Sequence, residues 1–165
     1  MERIEAIGSN GAEPAAGGAA RLGRVPQSAS EVVVEFLEAL ASPDLERALE
    51  LIDDDIVYEN VSLPTIRGRR RFESGARAFY RHKVGFDVRI HRIVTDGYSV
   101  MTERTDAIFV GGYRSQFWVC GAFEVHDGKI TLWRDYFDFW VVTLASLRGL
   151  IGILVPSLRA RFADG

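Results

Sequence analysis

The sequence predicts an α+β domain, a cone in which a strongly curved mixed β-sheet carries helices packed over its concave side. Three observations carry that expectation. Three strands run for eleven to thirteen residues each, over Gly85–Thr95, Tyr98–Val110 and Tyr113–Val125. Such lengths are well above the usual five or six and coil or bend a sheet. Their connections, Asp96-Gly97, Gly111-Gly112 and His126-Asp127-Gly128, have hairpin chemistry. Short amphipathic helices precede them, and helices on the concave side of a strongly curved sheet would enclose a cavity.

The first helix opens at Ser28-Ala29-Ser30-Glu31, a capping-box pattern, and Val33, Phe36, Leu37 and Leu40 follow at helical spacing. A second start signal places Ser42 as N-cap, Pro43 as first helical residue and Asp44 in the first turn. Leu45, Ala48, Leu49 and Ile52 then share a face, making an αα-hairpin with an apolar side. Asp55–Val61 reads as a strand that puts Ile56, Tyr58 and Asn60 on one face, because side chains alternate with period two. Ser62–Gly68 reads as loop, and Arg69 to about His82 as a third helix built on Phe72, Ala76 and Phe79. After the three long strands comes a fourth at Lys129–Asp138. Phe139–Leu158 is strongly apolar, with Arg148 its only charge. Its length would suit a membrane span, but Gly149, Gly152 and Pro156 interrupt it, which favours a helix over the cavity mouth or at a dimer contact.

At 165 residues the chain fits about one domain, and 47% hydrophobic residues suffice for a sizeable core. Residues 1–28 form a Gly/Ala-rich segment without apolar period, expected to be a mobile tail, which leaves residues 29–160 as the folded domain. A net charge of −3 gives no field for gripping phosphates and argues against nucleic acid as a partner. The basic run Arg67–Arg71 reads as solvated surface. One cysteine, Cys120, excludes an internal disulfide, fits a cytoplasmic location and is expected to be an inert buried thiol. Three histidines without ligand spacing make a poor metal inventory, so no metal or other cofactor is expected. No apolar signal-peptide core precedes the domain. The three tryptophans and the many phenylalanines are expected to be core first.

Polar residues inside apolar strands are the most informative feature. One face of Tyr98–Val110 carries Val100, Thr102, Arg104, Asp106, Ile108 and Val110, an Arg-x-Asp pair among aliphatics. Thr131, Trp133, Asp135 and Phe137 share a face of the last strand. By pattern alone, Arg104 and Asp106 fit two readings: a solvated cross-strand pair, or, with Asp135, Tyr58 and Asn60, a polar cluster at the bottom of an apolar pocket. Glu103 and Arg134, on the opposite faces, could pair outside.

The segments Tyr58-Glu59-Asn60, Arg104-Thr105-Asp106, Gln116–Val125 and Ile130–Asp138 together resemble the limonene-1,2-epoxide hydrolase family, in order and over roughly Ser30 to Leu158. The resemblance implies the cone-like fold shared with nuclear transport factor 2 and ketosteroid isomerase, and usually a homodimer. It implies one-step hydrolysis of an epoxide without metal or covalent intermediate. By position, Asp106 would be the general acid to the epoxide oxygen and Asp135 the base for water. Arg104 would lie between them, with Tyr58 and Asn60 holding the water.

The chemistry needs such a set. An epoxide opens when its oxygen gains a proton as a nucleophile strikes the far side of a carbon, so acid and base must flank the ring, as in inverting glycosidases. Asp106 neutral, Arg104 positive and Asp135 negative sum to zero, so burial and like-charge repulsion favour one shared proton. Holding an aspartic acid protonated near neutrality needs about 4 kcal/mol. The leading expectation is therefore hydrolysis of a lipophilic epoxide to a vicinal diol. Monoterpene, fatty-acyl and sterol-like epoxides all fit. Two alternatives stand beside it: proton shuttling of the ketosteroid-isomerase kind, which the Arg-bridged pair fits poorly, and a non-catalytic ligand-binding module of the same fold.

Overall fold

The computed structural model describes residues 28–61 and 63–162. The expected tail, apart from Ser28, lies outside them. Helix α1 (Ala29–Ala41) starts at Ser28, whose hydroxyl accepts from the Glu31 N–H while Glu31 reaches back to the Ser28 N–H, closing the capping box the sequence signals. Helix α2 (Leu45–Glu50) follows. Its N-cap is Asp44, not Ser42, and Pro43 stays outside the helix. The Ser42 hydroxyl is occupied in ending α1, where it donates to the Glu38 and Ala39 carbonyls. Helix α3 spans Arg69–Arg81 and helix α4 spans Phe139–Leu154, followed by a 3-10 turn at Pro156–Leu158. Asp138 is therefore not strand but the N-cap of α4, accepting from the Trp140 and Val141 N–H groups. Among the described residues no helix is long and apolar enough to cross a membrane.

Six strands, β1 (Ile52–Asn60), β2 (Ile66–Arg67), β3 (Gly85–Asp96), β4 (Ser99–Val110), β5 (Tyr113–His126) and β6 (Lys129–Tyr136), form one curved sheet in the order β2-β1-β6-β5-β4-β3. The run β3-β4-β5-β6 is joined by tight hairpins, and β1 pairs with β6 in parallel. The sheet is mixed and does not close into a barrel. Register shifts at Ile90/Arg92, Glu124/Val125 and Ile52/Val57 bend it, since an extra residue in one strand increases local twist. Two details depart from the sequence expectation. The first strand begins at Ile52, and the presumed loop Ser62–Gly68 contains the short edge strand β2, too brief to show a period.

The core lies between this sheet and the helices. Val32, Val33, Phe36, Leu37 and Leu40 of α1 and Leu45, Ala48 and Leu49 of α2 meet Ile52, Ile56, Val100, Phe123, Ile130 and Trp133 from the sheet. Ile130 and Trp133 both point inward despite their odd spacing because the β5–β6 irregularity breaks the alternation; Thr131, expected on that face, instead donates to the Glu124 carbonyl. Of the tryptophans only Trp133 is core: Trp118 and Trp140 are half or more exposed, on the outer sheet face and on α4. Cys120, on the outer face of β5, is only half-buried. Glu103 and Arg134 do face outward but pair elsewhere, Glu103 with Arg92 and Arg134 with Glu59, because those residues stand directly across in register.

Helix α4 lies against β5 through Gly149. A Cβ there would stand 2.7 Å from the Arg114 carbonyl oxygen and 2.8 Å from the Tyr113 ring. Gly149→Val is expected to cost about 1–3 kcal/mol by overpacking and to lower Tm accordingly. An unchanged melting curve would mean the helix sits more loosely than its contacts indicate.

Candidate active site

Strand pairing converges on one point of the inner face. The β4–β5 register sets Thr102 opposite Gly121, and the β5–β6 register sets Gly121 opposite Asp135. The parallel β1–β6 pairing then sets Asn60 beside Asp135 and Tyr58 beside Trp133. Because Arg104 and Asp106 follow Thr102 with period two, their side chains rise on the same face. All five residues singled out in the sequence, Tyr58, Asn60, Arg104, Asp106 and Asp135, meet here.

Arg104 is fully buried and is the hub. Its Nε donates to Asp106 at 2.9 and 3.2 Å, its Nη2 stands 2.6 Å from Asp135 Oδ1, and its Nη1 donates to Thr102 Oγ1 at 3.1 Å. Asp135 also accepts from the Trp133 indole N–H at 2.7 Å. Phe123 lies 5.9 Å from the guanidinium carbon. Asn60 Nδ2 donates to the Tyr58 hydroxyl at 2.7 Å, which leaves the phenol proton free to donate. The polar parts played by Trp133 and Thr102 escaped the sequence reading, which placed both on the right faces. The signal was available: a Trp or Thr two residues from a buried charge on the same strand face is within hydrogen-bond reach of it.

Burial dominates the electrostatics. It pushes the Asp106 carboxyl up to about 6, against the pull of Arg104 and with help from the Asp135 charge. It raises Asp135 too, opposed by Arg104 and by the hydrogen bonds from Arg104 and Trp133. The two share one cation and titrate as a pair. Asp135 accepts from two separate donor groups whereas Asp106 accepts from one, and a carboxylate with more donors holds its charge more readily. Burial next to Asp135 pushes Tyr58 up to about 12, so it remains a neutral phenol.

The carboxyls open onto a cavity of about 470 Å³. Tyr58, Asn60, Asp106 and Asp135 form its polar end, while Phe72, Phe79, Phe86, Phe117, Phe137 and Phe139 are among its apolar walls. The space has the size and the mostly apolar lining of a small-molecule site, with the acids at one end. Among the described residues, no group of three His, Cys, Asp or Glu side chains is placed to hold a metal ion.

Residues 27–148 match the family model of the limonene-1,2-epoxide hydrolase catalytic domain. The chain belongs to the limonene-1,2-epoxide hydrolase family. It is thus an enzyme of the epoxide hydrolase class. Within that family it is 52% identical over 128 residues to the epoxide hydrolase EphG of Mycobacterium tuberculosis, covering 78% of this chain and 85% of the relative. It also matches a solved M. tuberculosis epoxide hydrolase described as LEH-like with a TM-score of 0.78 and 51% identity, over 81% of this chain and 95% of that one. More distant is a nuclear transport factor 2-like protein of unknown function from Burkholderia pseudomallei, with a TM-score of 0.63 at 16% identity, over 72% of this chain and 96% of that one. That likeness concerns the fold alone. The cone expected from the long strands is the nuclear transport factor 2-like fold.

Arg104 fits because Gly121, opposite Thr102 on β5, carries no side chain where the guanidinium lies. A Cβ on Gly121 would collide with Arg104 Nη1 and stand 2.8 Å from Thr102 Oγ1. A guanidinium displaced there would leave its carboxylates unpaired in a dry site, a loss of about 3 kcal/mol or more. Gly121→Ala is therefore expected to lower the unfolding free energy by that amount, read as a lower denaturant midpoint at unchanged slope; a variant as stable as the parent would show that the cradle has slack.

Proposed function

We propose that this enzyme hydrolyses a lipophilic epoxide to a vicinal diol in one step, with Asp106 as acid and Asp135 as base. The observation that carries the reading is the buried Arg104 guanidinium ion-paired with both carboxyls at the polar end of an apolar cavity. With one proton on the pair, Asp106–Arg104–Asp135 is neutral overall, the charge state a dry site tolerates best.

The residues divide the work as follows. The epoxide oxygen lies against Asp106, and a water lies between Asp135, Tyr58 and Asn60. The Tyr58 hydroxyl donates to that water, and Asp135 and the Asn60 carbonyl accept from it. As the water oxygen bonds to an oxirane carbon, the bond from that same carbon to the ring oxygen, on its opposite side, breaks. The departing oxygen takes the Asp106 proton, and the water gives one proton to Asp135. Arg104 stays close to the pair throughout, so the negative charge that moves from Asp135 to Asp106 never leaves its counter-ion. The pair returns to its starting form by proton exchange through water once the diol has left.

Proton shuttling next to a carbonyl needs one base and no water site, so the Tyr58–Asn60 pair beside Asp135 favours hydrolysis. We propose a homodimer as the working unit. The outer face of α4, with Leu144, Leu147, Leu150, Ile151 and Leu154 exposed, supports such a contact.

Asp106→Asn and Asp135→Asn should each lower diol formation at least a thousandfold while circular dichroism and Tm stay near the parent values. In a single turnover in heavy-oxygen water the label should enter the first diol. Full activity in both variants, or label seen only in later turnovers, would overturn the reading.

The pH profile gives a separate check. The acid must be protonated, so kcat/KM should fall as pH rises through about 6, the raised position of Asp106. The base must be ionised, and because burial raises Asp135 as well, the acid-side loss should lie above the ordinary carboxylate range. A rate that is flat from pH 5 to 9 would contradict both assignments.

A further inference from the structure

A second polar spot lies in the cavity wall, away from the carboxyls. Ser115 on β5 and Ser146 on α4 both line the cavity, with their hydroxyl oxygens 3.4 Å apart. Ser115 is 3% exposed. Two well-bonded hydroxyls stand at about 2.7–2.8 Å, so their contact is slack, and neither side chain makes another hydrogen bond among the described residues. Each serine can donate one hydrogen bond and accept two. At most one donor is used between them, so a donor and several lone pairs remain in a wall otherwise built from Ile108, Phe117 and Val142. Ser146 is half-buried, but a hydroxyl as buried as that of Ser115 is costly to leave this way unless something completes it.

Their position follows from the fold. Gly149 brings α4 against the Arg114 carbonyl, and Ser146 lies one turn earlier on that face, so it meets the next residue of β5, Ser115. The β4–β5 register sets Phe117 opposite Asp106 and Ser115 opposite Ile108. Ser115 is thus one strand across and two residues along from Asp106, about 8 Å away on standard strand spacings. Among the described residues, no charged side chain apart from Asp106 and Asp135 lines the cavity, which gives an ionised group at the serines no counter-ion there. A hydroxyl, which gives and takes hydrogen bonds, complements the pair.

We propose that Ser115 and Ser146 form a recognition subsite for a substrate hydroxyl, and that the preferred substrate is an apolar epoxide carrying a hydroxyl about 8 Å from the oxirane oxygen. The assignment of the distance rests on the epoxide lying against Asp106, as in the proposed function. Along an extended chain this span corresponds to roughly six carbon–carbon bonds. The serines position and select the substrate without touching the reacting atoms.

The test compares 1,2-epoxydecane with its 4-hydroxy and 8-hydroxy derivatives on the parent enzyme and on the Ser115→Ala, Ser146→Ala and double variants. The parent should prefer the 8-hydroxy over the 4-hydroxy compound in kcat/KM by about tenfold or more, the selectivity expected of a site built to hydrogen-bond a hydroxyl. The double variant should lose about tenfold on the 8-hydroxy compound, mainly in KM, and change less than threefold on 1,2-epoxydecane. Equal losses on all three compounds would reduce the serines to packing, and no loss would make them idle; either overturns the proposal. Calorimetric binding of decane-1,2,8-triol against decane-1,2-diol provides an arm free of turnover. If the parent enzyme opens none of the epoxides, the acid–base reading fails, while loss of triol preference in the double variant still decides the subsite. Should the double variant fold poorly, the single variants carry the same comparison.

Discussion

A guanidinium taken wholly out of water is among the most expensive things a small fold can bury, and every feature of the inner sheet face serves to compensate Arg104. Two carboxyls pair with it and a threonine hydroxyl accepts from its Nη1, an aromatic ring covers it, and a glycine leaves the space it fills. Replacing such an ionic cluster by apolar residues of similar volume is often neutral or stabilising. Stability alone therefore does not account for its presence here. In the mechanism proposed above, the cation lets two acids share a dry site with one proton between them, which is what an acid–base pair on opposite sides of a substrate requires.

Division of labour between the two faces of the sheet follows. Outside, charges pair across neighbouring strands, as Arg92 does with Glu103 and Arg134 with Glu59. Inside, the aromatic group Phe36, Tyr58, Phe72, Phe123 and Trp133 packs ring against ring, and one of its members also bonds a carboxylate. Trp133 joins the hydrophobic core to the site: its ring is held from several sides, so the N–H it offers Asp135 has little freedom to wander.

Much of this was legible in the sequence, and for identifiable reasons. The long strands, their Gly-containing turns and the alternation on β4 put Thr102, Arg104 and Asp106 on one face, since period two is strict within an unbroken strand. Asp135 was placed by the same logic with Trp133 and Phe137. The logic failed for Thr131, where an irregularity changes the parity ahead of Trp133. It could not see that β1 runs parallel beside β6, because that pairing depends on long-range topology. The second helix starts two residues later than its cap signal indicates, because Ser42 carries the right side chain for an N-cap but uses it to end the helix before. Trp118 and Trp140 were taken for core because their residue type is usually buried; their exposure reflects which surface of the sheet and of α4 they occupy, which composition does not encode.

The parallel pairing of β1 with β6 has a consequence for how the enzyme comes into being. Arg104 and Asp106 are neighbours on one strand and can associate as soon as the β4–β5 hairpin forms, a local event. Their counterparts Asn60 and Asp135 stand side by side only when the earliest strand has waited for the last to be made, and closing so large a loop is slow compared with forming a hairpin. On the ribosome, the nascent chain holds Arg104 and Asp106 well before it holds Asp135. Assembly of the buried Asp106–Arg104–Asp135 cluster is thereby tied to the completion of the sheet, and a polypeptide cut short before Asp135 has only half of it.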